Sequence, residues 1–130
     1  MAARSAKRIL LVDDEDGIRL TLPVILRERG YFVKVAGSVA EAIAKINSEN
    51  FDVLLSDLNI GEASDGFAVV RAIRKVNSHC VTIILTGYPA FESAVEGIRH
   101  EIDDYLVKPT DVDVLVATVE KKLAARGSNV

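Results

Sequence analysis

The feature that most constrains this chain is a set of four short apolar runs, each of which ends on a polar residue. The runs are Ile9–Val12 before Asp13 and Asp14, Leu54–Ser56 before Asp57, Val81–Leu85 before Thr86, and Tyr105–Val107 before Lys108. Short runs rich in Val, Ile and Leu are typical of strands that are buried on both faces of a parallel sheet. Because the carboxyl ends of such strands face one crevice, the pattern predicts that three carboxylates, one hydroxyl and one ammonium group converge there.

Between the apolar runs, hydrophobic residues recur at helical spacing, so the sequence predicts five strands that alternate with five helices. The predicted strands are Lys7–Asp13, Tyr31–Val35, Asp52–Ser56, Val81–Leu85 and Asp104–Val107. An alternating order of strand and helix predicts a doubly wound α/β fold in which right-handed crossovers place helices on both faces of a parallel sheet.

Local signals mark where several of these helices begin and end. Gly30 is placed to end the first helix, and Ser38 with Glu41 forms a capping box at the start of the second. The third helix is predicted to turn four residues inward, namely Phe67, Val70, Ile73 and Val76. Two further helices are predicted at Pro89–Ile98 and Val112–Leu123, the last of them strongly amphipathic.

Length and composition exclude several classes of protein. A chain of 130 residues fits one domain, and its net charge of −3 argues against a broad surface for nucleic acid or an anionic membrane. No apolar run approaches the roughly 20 residues that a transmembrane helix needs, and the N-terminus lacks a signal peptide, so a cytoplasmic location is predicted. Cys80 is the single cysteine, which excludes an internal disulfide, and with His79 and His100 at unrelated positions it does not suggest a zinc site.

The converging polar groups point to phosphoryl chemistry. Asp13, Asp14 and Asp57 would repel one another unless a positive charge relieved them. Oxygen ligands without imidazole or thiolate suit a hard cation, here Mg²⁺ or Mn²⁺ rather than Ca²⁺, and Mg²⁺ is commonly completed by phosphate oxygens. A carboxylate can act as the nucleophile and become an aspartyl phosphate. Lys108 would neutralise the phosphoryl charge, and the Thr86 hydroxyl would donate to a phosphoryl oxygen.

Over about residues 7–124 the chain resembles the receiver domain of two-component response regulators. The matching motifs are Leu11–Glu15, Asp57 at the end of an apolar strand, Leu85–Tyr88 and Asp103–Pro109. The resemblance implies a single receiver domain over residues 1–130, with the flavodoxin-like (βα)5 fold, a three-layer sandwich around a parallel sheet of strand order 2-1-3-4-5. It also implies a signalling domain that is not a conventional enzyme and promotes only its own phosphorylation and dephosphorylation.

By the same resemblance, Asp57 accepts a phosphoryl group from the phosphohistidine of a sensor histidine kinase or a histidine phosphotransfer protein, or from small phosphodonors. Asp14 and Asp57 would ligate Mg²⁺ directly together with the backbone carbonyl of Asn59, while Asp13 would act mainly through water. No organic cofactor is implied.

The resemblance also implies how the phosphoryl group would be sensed. Lys108 would pair with it, Thr86 would move to bond it, and Tyr105 would turn inward when Thr86 moves. The output surface would comprise the fourth helix, the fifth strand and the fifth helix, which would contact an unidentified downstream effector and could support a phosphorylation-dependent homodimer. The bond between Lys108 and Pro109 is expected to be cis.

The sequence departs from the family pattern in the loop after Asp57. Ile60 and Gly61 stand where a Met-Pro pair is usual, and Gly66 comes one residue late. Two alternatives stay open at this point. One is a phosphorylation-independent interaction module that keeps only the fold. The other is a Mg²⁺-dependent phosphatase with an aspartyl nucleophile, against which Asn59 argues, because such enzymes carry a second acid at that position.

Overall fold

The computed structural model describes residues 6–60, 65–87 and 102–127, and its centre is a five-stranded parallel sheet. The strands are β1 (Arg8–Val12), β2 (Phe32–Ala36), β3 (Val53–Asp57), β4 (Val81–Thr86) and β5 (Asp104–Val107). They lie in the order β2-β1-β3-β4-β5 and every pairing is parallel. The predicted fold class and strand order are therefore confirmed.

Four helices are present among the described residues. They are α1 (Asp16–Glu28), α2 (Val39–Ser48), α3 (Gly66–Val76) and a helix at Val112–Gly127, called the C-terminal helix below. The helix predicted at Pro89–Ile98 lies outside the described residues. Gly30 follows α1 with a φ of 97°, a left-handed conformation that favours glycine. The Ser38 hydroxyl oxygen accepts a hydrogen bond of 3.1 Å from the Glu41 N–H, as its capping role predicts.

The sheet is buried on both faces because successive strand residues point to opposite sides. One apolar cluster joins α2 and α3 to the face that carries Leu10, Leu54 and Ile84. The other joins α1 and the C-terminal helix to the face that carries Ile9 and Leu55. This arrangement explains why the strands read as continuous apolar runs rather than as alternating patterns.

One predicted core residue is not buried. Phe67, Val70 and Ile73 of α3 are buried as expected, whereas Val76 is 54% exposed. Val76 is the final residue of α3, so it lies past the last turn that the sheet covers. Helical spacing identified the correct face but did not show where that face leaves the core.

No helix among the described residues is both long and apolar enough to cross a membrane.

Gly66 lies in close contact with the end of β3. A Cβ atom at this position would stand 2.4 Å from the carbonyl oxygen of Asp57 and 2.9 Å from Cα of Leu58. The Gly66 N–H also donates a hydrogen bond of 2.7 Å to the Leu58 carbonyl. Although this glycine comes one residue later than the family pattern, it meets a steric requirement beside Asp57.

Replacing Gly66 by Ala is expected to destabilise the protein by about 2–3 kcal/mol, because the new methyl group meets backbone atoms that cannot rotate away. Urea unfolding followed by circular dichroism measures this change. Gly17→Ala in α1 is the matched control, since a Cβ there meets nothing within 4 Å and should stabilise the chain by about 0.5–1 kcal/mol. An unchanged urea midpoint for Gly66→Ala would contradict the steric account.

Candidate functional site

Four strands end together at the carboxyl edge of the sheet and bring the predicted site residues to one place. The register pairs Val12 with Ser56, Asp57 with Leu85, and Thr86 with Val107. The polar residues that end these strands therefore lie at similar heights along the sheet. Residues that are up to 95 positions apart in the sequence come into contact here.

Three carboxylates form a compact cluster at this edge. Each of Asp13, Asp14 and Asp57 offers a carboxylate oxygen, and these three atoms lie within 4.8 Å of one another. Asp13 is fully buried and Asp57 is 7% exposed, whereas Asp14 is exposed to the cleft. An oxygen-only donor set with one solvent-facing member fits a hard divalent cation such as Mg²⁺, which keeps several water ligands.

Lys108 is the positive charge that the cluster requires. Its Nζ lies 2.7 Å from Oδ2 of Asp13, 3.4 Å from Oδ2 of Asp57 and 3.8 Å from Oε1 of Glu15. Burial by itself would lower the pKa of Lys108, but the hydrogen bond and charge of Asp13, with Asp57 and Glu15, raise that pKa overall. Lys108 is therefore held in its charged form between the acidic groups.

Asp57 is positioned by its own backbone environment. Its Oδ1 accepts a hydrogen bond of 3.4 Å from the Asn59 N–H, and its carbonyl oxygen accepts one of 3.0 Å from the Ser56 hydroxyl. Burial raises the pKa of the Asp57 carboxyl. The charge of Lys108 opposes this rise, the charge of Asp13 adds to it, and the Asn59 N–H lowers it again.

This raised pKa predicts a pH-dependent stability effect of Asp57→Asn in metal-free protein. A carboxyl group with a raised folded-state pKa favours folding while it is protonated, and that contribution is lost as the pH rises through the folded-state pKa. At pH 7, where Asp57 is ionised in wild type, the Asn variant should therefore melt at a higher temperature than wild type.

Differential scanning calorimetry in EDTA across a pH series measures this difference. The gap between the two melting temperatures should close below about pH 3.9, the ordinary Asp pKa. A variant that melts lower than wild type at pH 7 would show that the ionised Asp57 carboxylate stabilises the metal-free fold.

Thr86 and Tyr105 occupy neighbouring strands of the same region. Thr86 is fully buried, and its carbonyl oxygen accepts a hydrogen bond of 2.6 Å from the Lys108 N–H. Tyr105 is half-buried and packs against the core cluster under α2 and α3. Its hydroxyl group is buried and has no hydrogen-bond partner among the described residues. The peptide bond between Lys108 and Pro109 is cis, as expected.

A cleft of about 680 Å³ opens beside the acidic cluster. Asp14, Asp57, Asn59 and Lys108 line one part of it, and apolar side chains of α1 and the C-terminal helix line another. Glu15 lines this cleft and its carboxylate faces the Lys108 ammonium group, a contact that could not be predicted from the sequence motifs. Its position directly after the acidic pair was the available signal.

Two residues to which the sequence motifs give no function, His79 and Cys80, do not line this cleft. His79 is exposed, while Cys80 is fully buried in the core cluster under α2 and α3. Burial raises the pKa of the Cys80 thiol to about 12, so the group is an inert part of the core. His100 lies outside the described residues.

Comparison with known proteins identifies the family. The family profile of the response regulator receiver domain matches residues 9–120. The transcriptional regulatory protein ZraR of Escherichia coli K12 is 39% identical over 116 residues, which are 89% of this chain and 26% of that protein. This chain therefore spans about a quarter of the length of that curated relative.

Two solved structures are similar over nearly all of the chain. A CheY-like response regulator receiver domain protein from Methanospirillum hungatei JF-1 has a TM-score of 0.91 at 30% identity, covering 97% of this chain and 100% of that one. A Burkholderia pseudomallei response regulator, described with a phosphorylated aspartic acid, a calcium ion and citrate, has a TM-score of 0.82 at 28% identity and covers 95% and 72%. This chain belongs to the response regulator receiver domain family of two-component signalling proteins.

Proposed function

We propose that Asp57 is the phosphoacceptor of this receiver domain. The observation that carries the proposal is the position of its carboxylate, which is almost buried at the end of β3, 3.4 Å from the Lys108 ammonium group and within the acidic cluster. The phosphorylated aspartic acid of the similar Burkholderia pseudomallei regulator supports it. Among the described residues, no other carboxylate lies at the end of β3 with both Lys108 and the acidic cluster beside it.

We further propose that Asp14, Asp57 and the backbone carbonyl of Asn59 hold Mg²⁺, or Mn²⁺ in its place, with Asp13 acting through water. The bound cation would neutralise part of the negative charge of the carboxylates and of the phosphoryl group. The compact oxygen donor set supports this assignment. Asp13 is already committed to Lys108, which supports an indirect role for it.

The proposed reaction uses the carboxylate of Asp57 as the nucleophile. One of its oxygens forms a bond to phosphorus while the bond from phosphorus to the imidazole nitrogen of the donor breaks, and the imidazole leaves with that electron pair. With acetyl phosphate the leaving group is acetate. Lys108 moves little, because it already stands beside Asp57, and offers its N–H groups to the transferred oxygens. Water later attacks phosphorus and regenerates the Asp57 carboxylate.

The proposed response to phosphorylation begins at Thr86 and Tyr105. The Thr86 hydroxyl would bond a phosphoryl oxygen, and Tyr105, whose buried hydroxyl lacks a partner among the described residues, would change its packing in turn. The added charge would bias two conformations that already exist in equilibrium. The output surface that we propose comprises β5, the C-terminal helix and the segment at residues 89–98, which lies outside the described residues.

The proposed partners are a sensor histidine kinase or histidine phosphotransfer protein and a downstream effector. The relative ZraR is a transcriptional regulatory protein that is much longer than this chain. Four further points stay predictions. They are a phosphorylation-dependent homodimer, a cytoplasmic location, the absence of direct contact with nucleic acid or membrane, and a single domain over residues 1–130 with a core at about residues 7–124.

Intact-protein mass spectrometry after incubation with acetyl phosphate tests the proposed function. In the presence of Mg²⁺ the protein should gain one phosphoryl group, and in EDTA it should gain none. If acetyl phosphate fails, a histidine phosphotransfer protein loaded with phosphate is the second donor. Failure with both donors would favour the phosphorylation-independent interaction module, whereas continuous release of phosphate from varied phosphate esters would favour the phosphatase.

A further inference from the structure

Arg19, in the second turn of α1, reaches back to the loop that carries the acidic pair. Its Nη1 donates a hydrogen bond of 2.7 Å to the carbonyl oxygen of Asp13. Its Nη2 pairs with the carboxylate of Asp16. The side chain is 24% exposed, so the guanidinium group lies largely against the protein and not in free solution.

The hydrogen bond from Arg19 is one of four that hold Asp13 in place. The Asp13 N–H donates a hydrogen bond of 3.0 Å to the carbonyl of Ala36. Its Oδ1 accepts from the Glu15 N–H at 2.9 Å, and its Oδ2 accepts from Lys108 at 2.7 Å. With Arg19 on the carbonyl oxygen, every polar group of this fully buried residue has a partner.

The carbonyl that Arg19 holds belongs to the peptide unit that joins Asp13 to Asp14. A peptide unit is planar, so the position of its oxygen sets the direction in which the chain enters Asp14. Asp14 is the exposed member of the acidic cluster, and its backbone begins at the nitrogen of this same peptide unit. The guanidinium group therefore acts on the orientation of Asp14 through the backbone.

Gly37, directly after β2, provides the space that this arrangement needs. A Cβ atom at Gly37 would stand 2.9 Å from Nη1 and 3.1 Å from Cζ of Arg19. Gly37 does not have the positive φ found at Gly30, so the requirement is for room and not for a special backbone conformation. Even the smallest side chain at this position would push the guanidinium group away from Asp13.

We propose that Arg19, seated against Gly37, is a positioning residue that orients the peptide between Asp13 and Asp14 for binding of a divalent cation. This inference rests on the proposed function, because it takes Asp14 as a ligand of that cation. Neither Arg19 nor Gly37 belongs to the sequence motifs that mark the site. Outer contacts of this kind commonly change metal affinity when they are removed.

Charge and positioning predict opposite results for loss of Arg19. Removal of a positive charge near three carboxylates would strengthen the binding of a cation if long-range attraction were the main effect of Arg19. Loss of a positioning contact would weaken it. The sign of the change in the Mg²⁺ dissociation constant therefore separates the two roles.

The experiment is titration of the 130-residue chain with Mg²⁺, followed by isothermal calorimetry and by amide NMR shifts. Arg19→Ala should weaken Mg²⁺ binding by about tenfold. Gly37→Ala should weaken it by a smaller factor, and Arg19→Lys should recover part of the loss because its ammonium group can still donate to the Asp13 carbonyl. Arg27→Ala is the matched control, since Arg27 also lies on α1 and donates to a backbone carbonyl, that of Val33 at 2.8 Å. Its dissociation constant should stay within about twofold of wild type.

Equal or tighter binding of Mg²⁺ by Arg19→Ala overturns the proposal, provided that the wild type binds. If Arg19→Ala does not fold, Gly37→Ala decides the question, because it retains the arginine and changes only its position. Unchanged binding by Gly37→Ala would then overturn the proposal. A wild-type chain that does not bind Mg²⁺ would instead overturn the proposed metal site, and this inference with it.

Discussion

Replacement of Asp57 by Asn is expected to abolish phosphorylation of the protein. The amide keeps the shape of the carboxylate and can still accept the hydrogen bond from the Asn59 N–H, but it lacks the anionic oxygen that would attack phosphorus. Incorporation of phosphate from acetyl phosphate or a phosphohistidine donor should therefore fall by at least about a hundredfold. Intact-protein mass and the incorporation of labelled phosphate both measure this loss of phosphorylation.

Asp65→Asn is the matched control for this loss. Asp65 lies at the start of α3, eight positions after Asp57 in the sequence, and carries the same chemical group. Its replacement should leave the extent of labelling near that of wild type. Labelling of Asp57→Asn at the wild-type level would show that the nucleophile is another residue, whereas equal loss in both variants would point to a general effect of negative charge in this part of the chain.

Replacement of Lys108 by Met is expected to separate metal binding from phosphorylation. Lys108 neutralises the acidic cluster in the metal-free protein through its contacts with Asp13 and Asp57. Its loss leaves Asp13, which is fully buried, without its charged partner. Removal of one member of a buried ion pair costs about 3–5 kcal/mol. Lys108 is partly exposed, so we expect about 2–3 kcal/mol and a fall in melting temperature of about 10 °C in EDTA.

The same variant should bind Mg²⁺ more tightly than wild type, because no ammonium group competes for the carboxylates, yet acquire phosphate more slowly by about a hundredfold. Calorimetric melting with and without Mg²⁺, together with a time course of labelling, measures these effects. Lys75→Met on the exposed side of α3 is the matched control and should change neither quantity. Weaker Mg²⁺ binding by Lys108→Met would contradict the competition between ammonium group and cation.

The sheet and the location of the site were predictable because both follow from chain topology. Buried parallel strands have a distinctive composition, and the residue that ends each strand must stand at the carboxyl edge whatever the side-chain packing is. For this reason Asp57 and Lys108 could be placed together although 50 residues of sequence separate them. The distance between the Asp57 carboxylate and the Lys108 ammonium group, and the burial of Asp13, could be obtained only from the structure.

The remaining features depend on contacts that periodicity does not encode. Val76 fits the inward spacing of α3 but extends past the sheet. The steric need for Gly66 arises from backbone atoms at the end of β3, and the support that Arg19 gives to Asp13 depends on space left by Gly37. Each of these features depends on how one segment packs against another in three dimensions. The order of hydrophobic and polar residues along the chain does not contain that information.

Chemical mapping of the phosphorylated residue tests the central claim most directly. Borohydride reduces an acyl phosphate to an alcohol, so an aspartyl phosphate becomes homoserine while ordinary carboxylates do not react. After incubation with acetyl phosphate and Mg²⁺, reduction and proteolysis, peptide mass spectrometry should find homoserine at position 57 and at no other position. Homoserine at another aspartate, or a retained phosphoryl group that borohydride does not remove, would contradict the assignment of Asp57 as the phosphoacceptor.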